Sequence, residues 1–377
     1  MSWPDVNISD VCELVVDCVN KTAPVVEYET PYKMLRTTNV RGGFVDVDNV
    51  RYVTEDTFEK WNRRATPQRG DVILTREAPL GDVGRLTSDD KVFLGQRLFL
   101  YRADQKKLDS LYLAYVLQSP LVQGRIKSKG FGATVQHAKV GDCENLLIPY
   151  PPLDIQRKIG SILSNYDDLI ENNRRRIHLL EESARLLYQE WFVHLRFPGH
   201  EQAKIIDGVP EGWEKTTLKQ IATLNYGKAL KADVRIPGPY PVYGSSGEVG
   251  SHEKALVDGP GIVIGRKGNV GSVFWVNTDF FPIDTVYFIT QEQSSLFLYH
   301  ALKNVQFINT DVAVPGLNRD MAYSREILVP DEINYQNFIR EVQPIQEQIN
   351  KLQDYSDKLA KARDLLLPKL MSGELAV

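Results

Sequence analysis

The chain repeats the same order of segments twice, and this internal repeat limits its possible folds more than any other feature. The stretch "LLIPYPPLDIQRKIGSIL" (146–163) has an apolar, strand-like end, then prolines, then apolar residues at helical spacing. The stretch "ILVPDEINYQNFIREV" (327–342) has the same order about 180 residues later. Self-similarity at a fixed offset indicates duplicated structural units, so the sequence predicts two copies of one unit.

Further matched blocks support the repeat. "GDVILTREAPLGDVGRL" matches "PGIVIGRKGNVGSVFWV", so that Arg76 corresponds to Arg266 and Gly81 to Gly271. "DSLYLAYVLQS" matches "SSLFLYHALKN", and "GATVQHAKVGDCENLLIPYPP" matches "AVPGLNRDMAYSREILVPDEI". Each half ends in a long helical pattern. We therefore expect each half to be one mixed α/β globule followed by one long helix.

Both globules contain runs of residues that are typical of β-strands. "FVDVDNVRYVT" and "VFLGQRLFLY" in the first half, and "GIVIGR" and "TVYFIT" in the second, are alternating or β-branched runs. Glycine and proline punctuate these runs, as in "IPGPYPVYGSSGEVG". We expect a twisted or barrel-like antiparallel sheet with a few helices on one side of it.

The long helical patterns run over about 153–192 and 333–370, with apolar residues three and four apart. Pro344 lies off the second apolar stripe and should kink or restart that helix near its beginning. Each helix is roughly 60 Å long and cannot bury its stripe alone. We expect the two to pack on each other in antiparallel orientation; the alternative is that each is a separate core helix of its own globule.

The predicted fold class is therefore α+β, with two globular domains that have strand-rich cores and are joined by two long helices. These helices form an antiparallel coiled coil, and the internal repeat gives the chain a pseudo-twofold axis. The predicted domains are 1–150 and 196–332 for the globules, and 151–195 and 333–377 for the helices.

Two related globules at a fixed separation can bind a ligand that repeats along an axis. Duplex DNA is the most common ligand of this kind. A span of roughly 60 Å corresponds to roughly 18 base pairs. The net charge of −4 weighs against a protein that coats nucleic acid by charge alone. A sequence reader with this charge needs its basic groups gathered on one face, together with help from partners.

The chain resembles the specificity subunit of Type I restriction–modification systems over essentially its full length. The resemblance rests on "IPYPPLDIQRKIGSILSNYDDLIENNRRRIHLLEESARLLYQEWF", "GVPEGWEKTTLKQIATL" and "LLLPKLMSGEL". The motifs "GRKGNVGS" and "YGSSG" are also similar to target-recognition domains of that family. The first globule matches less sharply, through "RTTNVRGGFVD".

The resemblance implies a non-catalytic subunit that recognises a bipartite, asymmetric sequence of double-stranded DNA. Each globule would be a target-recognition domain for one half, and the helices would set the spacer. Two modification subunits would dock on it and methylate adenine with S-adenosylmethionine, and restriction subunits would add ATP-driven translocation and cleavage. S-adenosylmethionine, ATP and Mg are then cofactors of the partner subunits, and this chain holds none.

Two rival functions are an enzyme and a coiled-coil scaffold that binds only protein. Against an enzyme, the segment "PYPPL" (149–153) lacks the amide of an adenine methyltransferase loop, and we interpret it as a strand-to-helix break. No P-loop motif occurs, and the six histidines lack metal-ligand spacing. Against a scaffold, both halves carry Arg, Lys and Asn on turns.

The sequence favours a cytoplasmic location and predicts no membrane-spanning segment. Three scattered cysteines argue against a disulfide framework and are interpreted as inert thiols. No apolar run approaches the roughly 20 residues of a membrane span, and the first residues do not have the pattern of a signal peptide.

The candidate DNA-contacting residues lie on turns and strand ends and have side chains that pair with bases or phosphates. In the first half they are Arg36, Asn39, Arg41, Arg76, Arg125, Lys127, Lys129 and Phe131. In the second half they are Tyr243, Ser245, Ser246, Arg266, Lys267, Asn269, Asn318 and Arg319. Which of them contact bases and which contact phosphates is open.

Each of these motifs also has a purely structural interpretation. "GRKGNVG" is interpreted equally well as a hairpin turn and "YGSSGEVGS" as a surface loop. The basic run 125–129 is interpreted equally well as a solvated helix end. Arg76 and Arg266 occupy equivalent positions, and a shared ion pair that supports the fold explains them as well as DNA contact does.

Overall fold

The computed structural model describes residues 3–130, 136–307 and 316–377. The chain forms two compact units. The first unit combines Met1–Asn172 with Tyr355–Val377, and the second is Asn173–Asp354. Both divisions fall inside the long helices, so each unit contains one globule and part of each helix. The four-part division of the chain at 150, 195 and 332 stays a prediction.

The first unit is built on a six-stranded sheet, a three-stranded sheet and a short two-stranded one, in the orders β2-β10-β7-β8-β5-β4, β6-β3-β9 and β1-β11. Its strands are β1 (Asp5–Asn7), β2 (Cys12–Asp17), β3 (Tyr32–Leu35), β4 (Val40–Arg41), β5 (Gly43–Val45), β6 (Arg51–Tyr52), β7 (Val72–Arg76), β8 (Leu80–Arg85), β9 (Lys91–Leu94), β10 (Leu98–Ala103) and β11 (Leu147–Pro149). Its short helices are α1 (Ile8–Val11), α2 (Glu55–Trp61), α3 (Ser110–Gln118), α4 (Pro120–Ser128) and α5 (Val140–Glu144).

The core of the first unit lies between the large sheet and α3. Strand β7 is buried from Val72 to Thr75, which is why its sequence is a continuous run rather than an alternating one. Helix α3 starts where the Asp109 carboxylate accepts a hydrogen bond from the Tyr112 amide at 2.9 Å. The buried Tyr112 hydroxyl donates to the Pro149 carbonyl at 2.8 Å, which joins α3 to β11.

The second unit has smaller sheets, in the orders β15-β21-β18-β19, β17-β16-β20, β14-β22 and β12-β13. Its strands are β12 (Ile205–Ile206), β13 (Val209–Pro210), β14 (Glu214–Thr217), β15 (Asn225–Tyr226), β16 (Tyr240–Gly244), β17 (Gly247–His252), β18 (Gly261–Gly265), β19 (Val273–Val276), β20 (Phe281–Pro282), β21 (Val286–Ile289) and β22 (Glu326–Val329). Its short helices are α7 (Leu218–Ile221), α8 (Leu296–Asn304) and α9 (Arg319–Tyr323).

The predicted repeat is confirmed strand by strand. The order β2-β10-β7-β8 in the first unit is that of β15-β21-β18-β19 in the second. The Ala138 amide donates to the Arg76 carbonyl at 2.9 Å, and the Leu317 amide donates to the Arg266 carbonyl at 2.7 Å. Arg76 and Arg266 therefore occupy equivalent positions in the two units.

Most strand pairs are antiparallel, as expected, but three pairs are parallel and were not predicted. Strand β3 pairs with β9, β5 with β8 and β16 with β20 in parallel. A period of two identifies a strand, but it does not determine the direction of the strand beside it, which long crossover connections decide.

Two long helices complete the fold, α6 (Leu153–Tyr188), which continues into a π-helical turn at Gln189–Val193, and α10 (Glu332–Ser372). Helix α6 begins directly after two prolines, which confirms the strand-to-helix break predicted there. Helix α10 continues through Pro344, so the expected restart does not occur. Its neighbours Val342 and Ile345 are packed in the core and hold that turn in place.

The two long helices contact each other in both units. In the first unit Arg363 of α10 forms an ion pair with Asp167 of α6, beside apolar residues of both helices. In the second unit the rings of Tyr188 of α6 and Phe338 of α10 lie 5.9 Å apart. Within each unit the two helices therefore pack on each other, as predicted.

Candidate nucleic-acid interface

Three candidate residues, Arg36, Asn39 and Arg41, lie in or next to the loop after β3, and two of them stabilise the conformation of that loop. Asn39 is only 3% exposed. Its side-chain oxygen accepts from the Arg36 amide at 2.9 Å, and its nitrogen donates to the Asn49 carbonyl at 2.9 Å. The Arg36 guanidinium donates to the same carbonyl at 3.0 Å. Asn39 is therefore a loop-forming residue in this structure and is not placed to contact a base, whereas Arg41 is exposed.

Two further arginines of the first unit support the fold. The Arg76 guanidinium lies 2.8 Å from the Asp17 carboxylate and donates to the Ala138 carbonyl at 3.2 Å. The Arg125 guanidinium lies 2.8 Å from Asp5, which fastens α4 to β1. Of the two interpretations of Arg76, the structure therefore contains the ion pair.

Exposed cations remain at the end of α4. Lys127 and Lys129 are both exposed there, and the charges of Lys127 and Arg41 both act on Asp82. Burial raises the pKa of Asp82, and these two cations oppose that shift. The structure therefore brings Arg41 and Lys127 together, while Phe131 lies outside the described residues.

In the second unit, two turns meet. The Asn269 side-chain amide donates to the Ser246 hydroxyl at 3.3 Å, and the Ser272 hydroxyl donates to the Ser245 carbonyl at 2.6 Å. The turn needs glycine at 265, because a Cβ there would lie 2.1 Å from the Asn269 carbonyl oxygen. Ser246 and Asn269 are exposed, whereas Ser245 is 8% exposed.

Tyr243 belongs to the core rather than to the surface of this hairpin. Its ring centre lies 6.2 Å from those of Phe274 and Phe280. Burial is the main reason why the pKa of Tyr243 is raised to about 12. The sequence grouped Tyr243 with Ser246 because they are close in the chain. Tyr243 lies in β16 and packs on Phe274 and Phe280, whereas Ser246 lies in the turn after this strand and is exposed.

A cluster of two arginines and one tyrosine lies beside these turns, and we call it the Tyr226 cluster. The guanidinium carbons of Arg266 and Arg319 lie 5.3 and 5.0 Å from the centre of the Tyr226 ring, within cation–π range. Arg266 also donates to the Asp284 backbone carbonyl at 2.8 Å. Tyr226 is half exposed. Arg266 and Arg319 were predicted from the sequence; Tyr226 was not.

The two other candidates near this cluster have different roles. Lys267 is exposed and pairs through its backbone with Gly316. Asn318 caps α9, and its side-chain oxygen accepts from the Asp320 amide at 2.8 Å. Asn318 is therefore explained by the helix start, although the residue is exposed.

Among the described residues, the positive charge of the cluster has no ion-pair partner. Within the described residues, no carboxylate lies at ion-pair distance from Arg266, Lys267 or Arg319. Burial raises the pKa of Tyr287, which lies beneath Tyr226, to about 12, and both arginines oppose this shift. The second unit therefore presents local positive charge on a chain whose net charge is negative.

The described residues contain no metal-binding cluster. Among them, no group of three His, Cys, Asp or Glu side chains could hold a metal ion. Burial raises the pKa of Cys12 and of Cys143 to about 12 and also raises that of Cys18, so all three thiols are protonated near neutral pH. In the same residues no helix is apolar over a length that could span a membrane.

The chain is similar in sequence and in fold to known DNA specificity proteins. The family described as "Type I restriction modification DNA specificity domain" matches residues 2–182 and 210–359, one match in each half of the repeat. The type I restriction enzyme MjaIX specificity subunit of Methanocaldococcus jannaschii is 26% identical over 359 residues, covering 87% of this chain and 82% of that protein. The MjaVIII specificity subunit of the same organism is 26% identical over 294 residues, covering 75% and 59%. The crystal structure of a Type-I restriction-modification system S subunit from M. genitalium has a TM-score of 0.58 at 20% identity, covering 98% and 96%.

Proposed function

Because this chain belongs to the Type I restriction–modification DNA specificity family, we propose that each of its repeats recognises one half of a split, asymmetric DNA target. The chain is the non-catalytic, DNA-recognising component of such a system. The two globules differ in sequence, so the two half-sites differ as well. The antiparallel helix pair sets the length of the unread spacer between them.

The observation that carries this proposal is the positive surface of the second unit. Arg266, Lys267 and Arg319 have no carboxylate partner in the described part of the chain. Arg266 and Lys267 belong to the same turn as Asn269, which contacts Ser246. Guanidinium, ammonium and amide groups on turns are the chemistry that contacts phosphates and base edges. In the first unit the corresponding candidates are Arg41, Lys127 and Lys129, which are exposed.

We further propose that two modification subunits dock along α6 and α10, and that restriction subunits join them. Large apolar side chains stand exposed on these helices, among them Leu169, Leu179, Leu186, Tyr355 and Leu365. Isolated exposed apolar residues are common, whereas contiguous exposed apolar surface marks protein–protein contacts, and a partner that docks along these helices would cover these side chains. S-adenosylmethionine, ATP and Mg would be bound by these partners, which would work in the cytoplasm where the host DNA is.

The direct test is long-read mapping of methyl-adenine in host DNA with and without this gene. We expect methylation to disappear from one split, asymmetric motif when the gene is deleted. If no motif changes, the DNA-reading function is rejected, and the coiled-coil scaffold becomes the better explanation.

A binding experiment separates these two functions independently. The chain, assembled with its modification subunit, should shift duplex DNA, and the shift should weaken steeply between 50 and 200 mM salt. A scaffold that binds only protein would retain the modification subunit without shifting DNA at any salt concentration.

A further inference from the structure

The register of the first sheet fixes the partner of Arg76. Asp17 of β2 lies opposite Phe99 of β10, and Phe99 lies opposite Leu74 of β7. Arg76 follows two residues after Leu74, across an irregularity in the β7–β8 pairing, and its guanidinium reaches the Asp17 carboxylate. Asp17 and Arg76 are 13% and 14% exposed and lie 2.8 Å apart. The carboxylate thus neutralises the arginine inside the first unit.

The same register in the second unit places Tyr226 at the position of Asp17. Tyr226 of β15 lies opposite Tyr287 of β21, and Tyr287 lies opposite Ile264 of β18. Arg266 follows two residues after Ile264, as Arg76 follows Leu74. An aromatic ring therefore stands where the first unit has a carboxylate.

This exchange keeps the arginine in place but leaves its charge available. A guanidinium held over a ring by a cation–π contact is restrained, and its N–H groups can still donate from its edges. The Arg319 guanidinium lies over the same ring, so the two cationic carbons are no more than about 10 Å apart, within one Debye length at 0.1 M salt. The two cations repel each other, and an anion that accepts hydrogen bonds from both would relieve that repulsion.

We propose that Tyr226 is a positioning residue that holds Arg266 and Arg319 as a guanidinium pair for one backbone phosphate of the DNA. The proposal rests on the DNA-reading function proposed above and assigns a ligand to this cluster. A phosphate carries the negative charge that two unneutralised cations require, and it accepts paired guanidinium hydrogen bonds. A base edge is neutral and would leave the charge of the pair uncompensated.

The test uses the chain assembled with its modification subunit, one duplex with the mapped motif and one scrambled duplex. Tyr226→Asp recreates the neutralising carboxylate of the first unit, and Arg319→Gln removes one exposed cation. Tyr226→Phe keeps the ring and serves as the rescue variant. Lys215→Gln, on the exposed edge of β14, is the matched charge control outside the cluster.

We expect Tyr226→Asp and Arg319→Gln to weaken binding to both duplexes by about 10- to 100-fold, as for loss of a charge-assisted hydrogen bond. The slope of log K against log salt should become shallower by about 0.9, the value for one phosphate contact. Tyr226→Phe should bind far more tightly than Tyr226→Asp. Lys215→Gln should change the slope by less than either cluster variant.

Two results would overturn the proposal. A loss confined to the motif duplex would mean that the cluster reads a base, and an unchanged slope in folded Tyr226→Asp and Arg319→Gln would mean that it does not touch DNA. Arg319 is exposed, so its variant keeps the test valid even if Tyr226→Asp unfolds. Failure of the unmutated complex to bind either duplex would instead reject the proposed function itself.

Discussion

Replacing Asp17 with Asn should destabilise the first unit without removing a DNA contact. The Asp17 carboxylate neutralises the Arg76 guanidinium at 2.8 Å, and both side chains are largely buried. The Arg76 Nε is itself buried without a hydrogen-bond partner in the described residues. Removing the negative charge therefore leaves the Arg76 cation with neutral acceptors only, the Ala138 carbonyl and the amide oxygen of the introduced asparagine.

The size of the effect follows from the burial of the pair. Breaking a fully buried ion pair costs about 3–5 kcal/mol, because the remaining charge is uncompensated. Asp17 and Arg76 keep 13% and 14% of their side-chain surface in solvent, so we expect about 2–3 kcal/mol. For a unit of this size that corresponds to a fall in melting temperature of about 4–12 °C.

The assay is urea and thermal unfolding, with hydrogen exchange at β2 and β7 to localise the change. The matched control is Asp89→Asn, since Asp89 pairs with Arg69 at 3.3 Å but the two are 76% and 62% exposed. We expect less than about 0.5 kcal/mol for this control. The double variant Asp17→Asn with Arg76→Met should recover much of the loss, because no buried charge remains.

The reasoning would be refuted if Asp17→Asn were no more harmful than Asp89→Asn. It would also be refuted if the variant kept its stability but lost methylation of one half-site. The second result would mean that Arg76 is held ready for DNA rather than for the fold.

Three further predictions concern the second unit. Exchanging 208–330 for the corresponding span of another family member should change one half of the methylated motif; a change in both halves would contradict the modular arrangement. Gly265→Ala should displace the Asn269 carbonyl and abolish methylation at the half-site of the second unit while sparing the other, which motif mapping would show. Burial lowers the pKa of His300 to about 4 from 6.5, so its contribution to stability is complete above pH 6.5 and is lost as the pH falls towards 4. The second unit should therefore lose about 2 kcal/mol between pH 7 and 5, and His300→Phe should flatten that dependence in unfolding experiments; an unchanged pH profile would exclude His300 as its origin.

The repeat and the helix pair could be predicted because they follow from chain-wide patterns. Matched blocks around Arg76 and Arg266 fixed the equivalence of the two halves before any contact was known. Apolar residues three and four apart over about 40 residues leave few alternatives to a helix that packs along its whole length. Sheet direction was not predictable in this way, since a strand pattern does not specify its neighbour.

The roles of single side chains were predicted less well, because residue type does not reveal burial. Asn39 and Arg41 lie two residues apart and both suit DNA, yet Asn39 is enclosed by its own loop and Arg41 is exposed. Tyr226 could not be matched to Asp17 from the sequence, because β15 is only two residues long and shares no residue type with β2. Its equivalence to Asp17 exists only in the register of the sheets.

This register suggests how one duplicated frame can recognise two different half-sites. In the first unit Arg76 is neutralised by Asp17, so its exposed cations are on other elements, with Arg41 on β4 and Lys127 on α4. In the second unit the equivalent arginine stays charged on the Tyr226 ring. A single exchange of carboxylate for aromatic ring thus converts a stabilising contact into a site for an anion and leaves the sheet around it intact. Because such an exchange moves the positive surface without moving the backbone, two copies of one fold can diverge in what they bind while both remain folded.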